Sequence, residues 1–179
     1  MKNKMIKPKE RILIASTRLF HHQGYNSTGI NQIIKEAKVA KATMYEHFKS
    51  KDDLAIEYLN RRHILWFNEL RQYTKDKIKL KDKIISSFEF IAFMNKNENY
   101  NGCVFLNILS EVKMNNKLII ATIKSHKSEL REYFFKITND KKRADLIYIL
   151  FEGSIIESQL YKDNWPIKKS IEFINNLIK

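Results

Sequence analysis

Between Thr28 and Phe48 the chain reads TGINQIIKEAKVAKATMYEHF. Two short helical stretches are joined by the tight turn Lys38-Val39-Ala40, close to the N-terminus and flanked by lysines. That arrangement lays one helix in the major groove of duplex DNA. Residues that do bond-breaking chemistry are not organised in this way. There is no HExxH, no glycine-rich phosphate loop and no Cys/His metal spacing. His21 and His22 are adjacent, so on a helix they diverge by about 100° and share no ligand face. We therefore expect no enzyme, no cofactor and no metal. One thiol stands apart. Cys103 follows Gly102 at the expected start of a short helix, a position that lowers a thiol pKa and favours the thiolate. Its other reading is a small buried hydrophobe.

The elements that must position these residues are all helical. Ile12, Ala15, Leu19 and Phe20 form one stripe of a first helix over about 9–22, with Pro8 in its first turn and Gly24 as its stop. Thr28 is the expected N-cap of the second helix, whose stripe is Ile30, Ile33, Ile34 and Ala37. Val39 should be buried between the second helix and the third, which covers about 41–47. Ser50 opens a long fourth helix, with Asp53 in the capping-box place, reaching about Tyr73. Residues 75–83 read as a lysine-rich connection and 95–102 as a polar loop. Ile119, Ile123, His126, Leu130, Tyr133 and Ile137 step along a seventh helix. Asp140 caps an eighth, with Ile147, Phe151 and Ile155 on one face. Pro166 opens a last helix through Ile171, Ile174 and Leu177. With 4 Gly and 2 Pro in 179 residues, long helices are favoured over an all-β architecture.

Apolar residues make up 44% of the chain, enough for a sizeable core. The net charge is +13 and lies unevenly. Residues 1–51 hold 11 Lys+Arg against 3 Asp+Glu, whereas the rest holds 22 against 17. A basic pole calls for a polyanion, nucleic acid or an anionic membrane surface. The pole lacks a large apolar face, which disfavours the membrane. No apolar run approaches the roughly 18 residues of a membrane-spanning helix. A single cysteine excludes an internal disulfide and fits a reducing cytoplasm.

From Arg11 to about Leu59 the chain resembles the TetR family of bacterial transcriptional regulators. The resemblance is carried by Ile14-Ala15, Leu19-Phe20, Gly24-Tyr25, Thr28-x-Ile30, Ile33, Ala37-x-Val39, Tyr45-x-x-Phe48, Lys49-x-Lys51 and Leu54. Two turn positions depart from the family pattern. Lys38 stands where Gly is usual, and Ala40 where Ser or Thr caps the next helix. The resemblance implies an all-α protein. Residues 1–51 would be a three-helix DNA-binding domain with a helix-turn-helix, and residues 52–179 a helical ligand-sensing and dimerisation domain.

It also implies roles. The third helix would read DNA, with Lys41, Ala42 and Thr43 toward the bases, Lys41 on guanine and Thr43 on a thymine methyl or base edge. Tyr45 and His47 would contact phosphates, as would Thr28 and Lys51 at helix N-termini. Phe48, by contrast, reads as core. In the C-terminal domain a small-molecule inducer could be enclosed by aromatic and polar side chains: His63, Trp66, Phe88, Phe105, His126, Tyr148, Phe151 and Glu152, with Glu111 a further polar group. Ordinary core packing explains the aromatics as well. Some relatives carry a Gly-Cys pair at 102–103 and a subset of the family senses oxidants or electrophiles, so Cys103 is a possible redox sensor. The last two helices would pair with a second copy, Gly153 and Ser154 permitting close approach. The homodimer would then bind a palindromic double-stranded operator, most simply as a ligand-responsive repressor. A DNA-binding structural protein of the same fold without a ligand is the alternative.

Overall fold

The computed structural model describes residues 6–178. Nine helices and no strand occur among them: α1 (Pro8–Gln23), α2 (Ile30–Ala37), α3 (Lys41–His47), α4 (Lys51–Thr74), α5 (Leu80–Asn97), α6 (Val104–Glu111), α7 (Lys117–Thr138), α8 (Lys141–Tyr161) and α9 (Trp165–Leu177). They form two compact units, Met1–Arg62 with Val104–Ile123, and His63–Cys103 with Lys124–Lys179.

In the first unit α1 packs against α2 and α3. Pro8 starts α1, where its missing N–H costs nothing, and Gly24 ends it at φ 87°. Ile12, Leu13, Leu19 and Phe20 are buried, as are Ile33, Met44, Phe48, Leu54 and Leu59 from the other helices. Each such side chain contributes roughly 1.5–3 kcal/mol by leaving water. The start of α4 is capped as its sequence requires: the Asp53 N–H donates to Ser50 Oγ at 3.0 Å, and Asp52 and Asp53 face the helix dipole.

In the second unit α8 packs on α9 and both pack on α5. Its core is built from Phe67, Phe88, Phe90, Leu130, Phe134, Ile147, Phe151 and Ile174. Phe151 sits between Phe88 at 5.3 Å and Phe134 at 5.2 Å, both edge-on, the geometry that ring quadrupoles prefer. Asp140 caps α8, its Oδ1 accepting from the Arg143 N–H at 3.1 Å.

Several expectations are corrected. Gly29, not Thr28, is the N-cap of α2, and it supplies no side-chain bond. The Gly24–Thr28 turn draws Thr28 inside, where its hydroxyl donates to the Gly24 carbonyl at 2.6 Å. Val39 is half-buried rather than buried. α5 extends through Asn97, and the left-handed residues Asn99 and Tyr100 end it. Ile147, Phe151 and Ile155 do not form an outward face. They are consumed by their own subunit's core. The outward apolar residues of α8 include Leu146, Ile149, Ile156 and Leu160, with Tyr161 at its end, and α9 adds Trp165, Phe173 and Leu177.

Candidate nucleic-acid interface and effector residues

The turn before α3 tolerates its unusual sequence by bearing strain. Lys38 adopts φ 52°, ψ 51°, the left-handed conformation glycine enters freely, at a cost of roughly 1–2 kcal/mol for a residue with a Cβ. Its N–H and that of Val39 close on the last carbonyls of α2. Ala40 begins α3 with no side-chain cap. What holds α3 is burial: Met44 is fully enclosed and Phe48 nearly so. With that face fixed inward, the 3.6-residue period turns Lys41, Ala42, Tyr45, Glu46 and His47 outward, and Thr43 lies half-exposed between. Five of the seven nominated DNA contacts therefore share one helix and one accessible surface.

The other two do not. Thr28 is buried with its hydroxyl committed to Gly24, so its side chain is not available to a phosphate. The Lys51 ammonium donates to the carbonyls of Tyr25 at 3.0 Å and Thr28 at 3.2 Å and sits 4.2 Å from the Tyr25 ring centroid. It braces the α1–α2 loop instead of reaching outward. The same loop is held from α6, and the start of α4 from the residue just before α7. Glu111 accepts from the Asn26 N–H at 2.5 Å, and Asn116 donates to Asp52 at 2.6 Å. The Tyr25 hydroxyl also bonds Asp52. Burial first, then Asp52 and Glu111, hold the Tyr25 phenol well above its ordinary pKa. Nothing local in the sequence announces Glu111 or Asn116, because their partners lie 85 and 64 residues away.

In the second unit the structure brings most of the nominated effector residues together, in two groups. His63 Nδ1 lies 3.1 Å from His126 Nδ1, and its Nε2 is 3.2 Å from Glu129. Trp66 stacks edge-on against His126 at 5.5 Å and Phe151 at 6.3 Å, and Phe88 abuts Phe151. His126, Phe88 and Phe151 are enclosed. The second group surrounds Lys127, whose ammonium bonds both oxygens of Glu152 at 2.8 and 2.6 Å and lies 3.4 Å from Cys103 Sγ. Burial works to lower the Lys127 pKa, but Cys103 and Glu152 outweigh it and hold the ammonium above its usual value. Tyr148 is raised by burial first and by Glu152, against Lys127 and Arg131. Phe105 is buried and belongs to the first unit. Cys103 is half-buried and unpaired in any disulfide. Among the described residues no cluster of three or more His, Cys, Asp or Glu could hold a metal ion, and no helix is long and apolar enough to cross a membrane.

Residues 12–58 match the model for bacterial regulatory proteins of the tetR family. The HTH-type transcriptional regulator LmrA of Bacillus subtilis is 46% identical over 71 residues, which are 39% of this chain but only about a third, 34%, of that regulator. An HTH-type transcriptional regulator of Staphylococcus aureus is 26% identical over 86% of this chain and 72% of its own. The crystal structure of a TetR-family transcriptional regulator from Streptomyces coelicolor superimposes with a TM-score of 0.84 over 94% of this chain and 93% of that one, at 20% identity, a likeness of fold.

Proposed function

Because the chain belongs, through its N-terminal domain, to the TetR family of bacterial regulatory proteins, we propose that it is a cytoplasmic DNA-binding transcriptional regulator, a ligand-responsive repressor that grips a palindromic operator as a homodimer. The observation that carries this reading is the α3 surface, where Met44 and Phe48 anchor the helix and Lys41, Ala42, Tyr45 and His47 face outward with Thr43 between them. Lys41 and Thr43 read base edges, and Tyr45 and His47 bond phosphates. Dimerisation uses the second apolar seam of α8. Leu146, Ile149, Gly153, Ile156 and Leu160 recur at alternating spacings of three and four, and a Cβ placed on Gly153 would meet nothing within 4 Å. α4 carries Lys51 at one end and His63 and Trp66 further along, so an effector acts through it on the spacing of the paired reading helices.

Footprinting on genomic DNA at low salt tests the reading. A protected palindrome is expected, and Thr43→Ala relaxes its base preference; no footprint at all would sink it. The ligand-free structural protein is favoured by one observation, the closed ring-to-ring packing of Phe88, Phe134 and Phe151. Operator release by a small molecule decides against it.

A further inference from the structure

A groove of about 470 Å³ runs between α7 and α8. α7 lines it with Lys124, Lys127, Ser128 and Arg131, and α8 with Asp145 and Tyr148. The volume falls within the ~300–1,000 Å³ of small-molecule sites. The four α7 residues fall at i, i+3, i+4 and i+7, so they share one helix face, on which Lys124, Ser128 and Arg131 are the donors. Lys127 is paired with Glu152 and Arg131 with Asp145, which leaves the exposed Lys124 as the surplus positive charge of the lining. Arg131 spends Nε and one Nη2 hydrogen on a single oxygen of Asp145, at 3.3 and 2.7 Å, so Nη1 of its fork remains for another acceptor. Its guanidinium stands 5.9 Å from the Tyr148 ring centroid. Lys127, mostly buried and paired with Glu152, offers the groove no free charge and no free donor. Exposed Ile149 supplies an apolar wall.

We propose that this groove is the effector site, and that it takes a small organic anion: a carboxylate or phosphate on Arg131 and Lys124, with an apolar ring against Tyr148 and Ile149. The proposal rests on the ligand-responsive reading. It moves the site away from the enclosed aromatics Phe88 and Phe151 to the half-buried Tyr148. Ile149 also belongs to the dimer seam, so the variants that test the site are taken from α7.

The full chain is titrated calorimetrically with benzoate and with phenyl phosphate, and with benzyl alcohol and benzylamine as the neutral and cationic counterparts. At least one anion should bind at least tenfold more tightly than the alcohol or the amine, and the better of the two identifies the head group. Losing one charge-assisted hydrogen bond costs roughly tenfold or more, so Arg131→Gln should weaken the anion by that factor with an unchanged circular dichroism spectrum. Lys124→Gln, at an exposed position, reads the same site should Arg131→Gln not fold. Equal affinity for anion, alcohol and amine, anion binding untouched by the variants, or no anion binding at millimolar concentration overturns the proposal. The footprint separates the two levels: a protected operator without anion binding removes the groove alone, whereas a missing footprint removes the regulator reading beneath it.

Discussion

Ile155→Glu and Ile156→Glu alter neighbouring residues and should do opposite things. Ile155 is 9% exposed and belongs to its own subunit's core, whereas Ile156 is 49% exposed and lies on the outer seam. Burying a whole isoleucine side chain is worth roughly 1.5–3 kcal/mol, so the exposed half of Ile156 offers a dimer about 1 kcal/mol per subunit, or about 2 across the two-fold pair. A glutamate there forfeits that and also places two carboxylates in an apolar interface, each costing several kcal/mol. The total of at least ~5 kcal/mol weakens association by roughly a thousandfold or more. The monomer itself should lose no more than about 0.5 kcal/mol, the usual scale for an exposed position. At Ile155 the carboxylate enters the core without a partner, at a cost comparable to the whole ~5–15 kcal/mol stability of a domain. Sedimentation velocity at micromolar concentration, with a thermal melt beside it, reads both. Wild type should sediment as a dimer, Ile156→Glu as a folded monomer that no longer footprints, and Ile155→Glu should be unfolded. A wild-type monomer, a dimeric Ile156→Glu or a well-folded Ile155→Glu would refute the assignment of the two faces.

Lys51→Met should lower the melting stability by about 1–2 kcal/mol by releasing the Tyr25 and Thr28 carbonyls, while the salt dependence of DNA binding changes by well under one unit of slope. A drop of a full unit would show instead that Lys51 contacts a phosphate. The raised Tyr25 pKa means that folding favours the neutral phenol, so its contribution is whole below the ordinary tyrosine value of about 10 and is lost as pH rises through the folded value. Tyr25→Phe should therefore be less stable than wild type at neutral pH, with the difference narrowing in alkaline melts; a constant difference would contradict the linkage. Treatment with a thiol electrophile should leave operator binding unchanged in wild type and in Cys103→Ser alike, the half-buried thiol being a packing residue. Release from wild type alone would make it the switch.

What the sequence determined by itself is local. Helix starts and stops rest on residues within four of one another, so Pro8, Gly24, Ser50 and Asp140 do in the structure what their positions predict. Lys38 in the place of a usual Gly was visible as a departure, and the structure shows that the turn keeps its left-handed conformation there. The reading face of α3 was expected from the family resemblance, with Phe48 read as core, and the burial of Met44 beside Phe48 is what turns that face outward. Tertiary structure decided which faces meet. α8 carries two apolar stripes, and periodicity reveals both without saying which one the subunit keeps; the packing of α5 and α9 claims Ile147, Phe151 and Ile155 and leaves Ile149, Ile156 and Leu160 outside. Thr28 could cap a helix by type, but the turn from Gly24 placed it in the interior. Lys51 and Glu111 are charged residues that a linear reading sends outward, to phosphate or to an effector, yet both close on the α1–α2 loop. A helix encodes in its own sequence which side is apolar, whereas the partner of that side is set by residues tens of positions away, and only the folded chain brings them together.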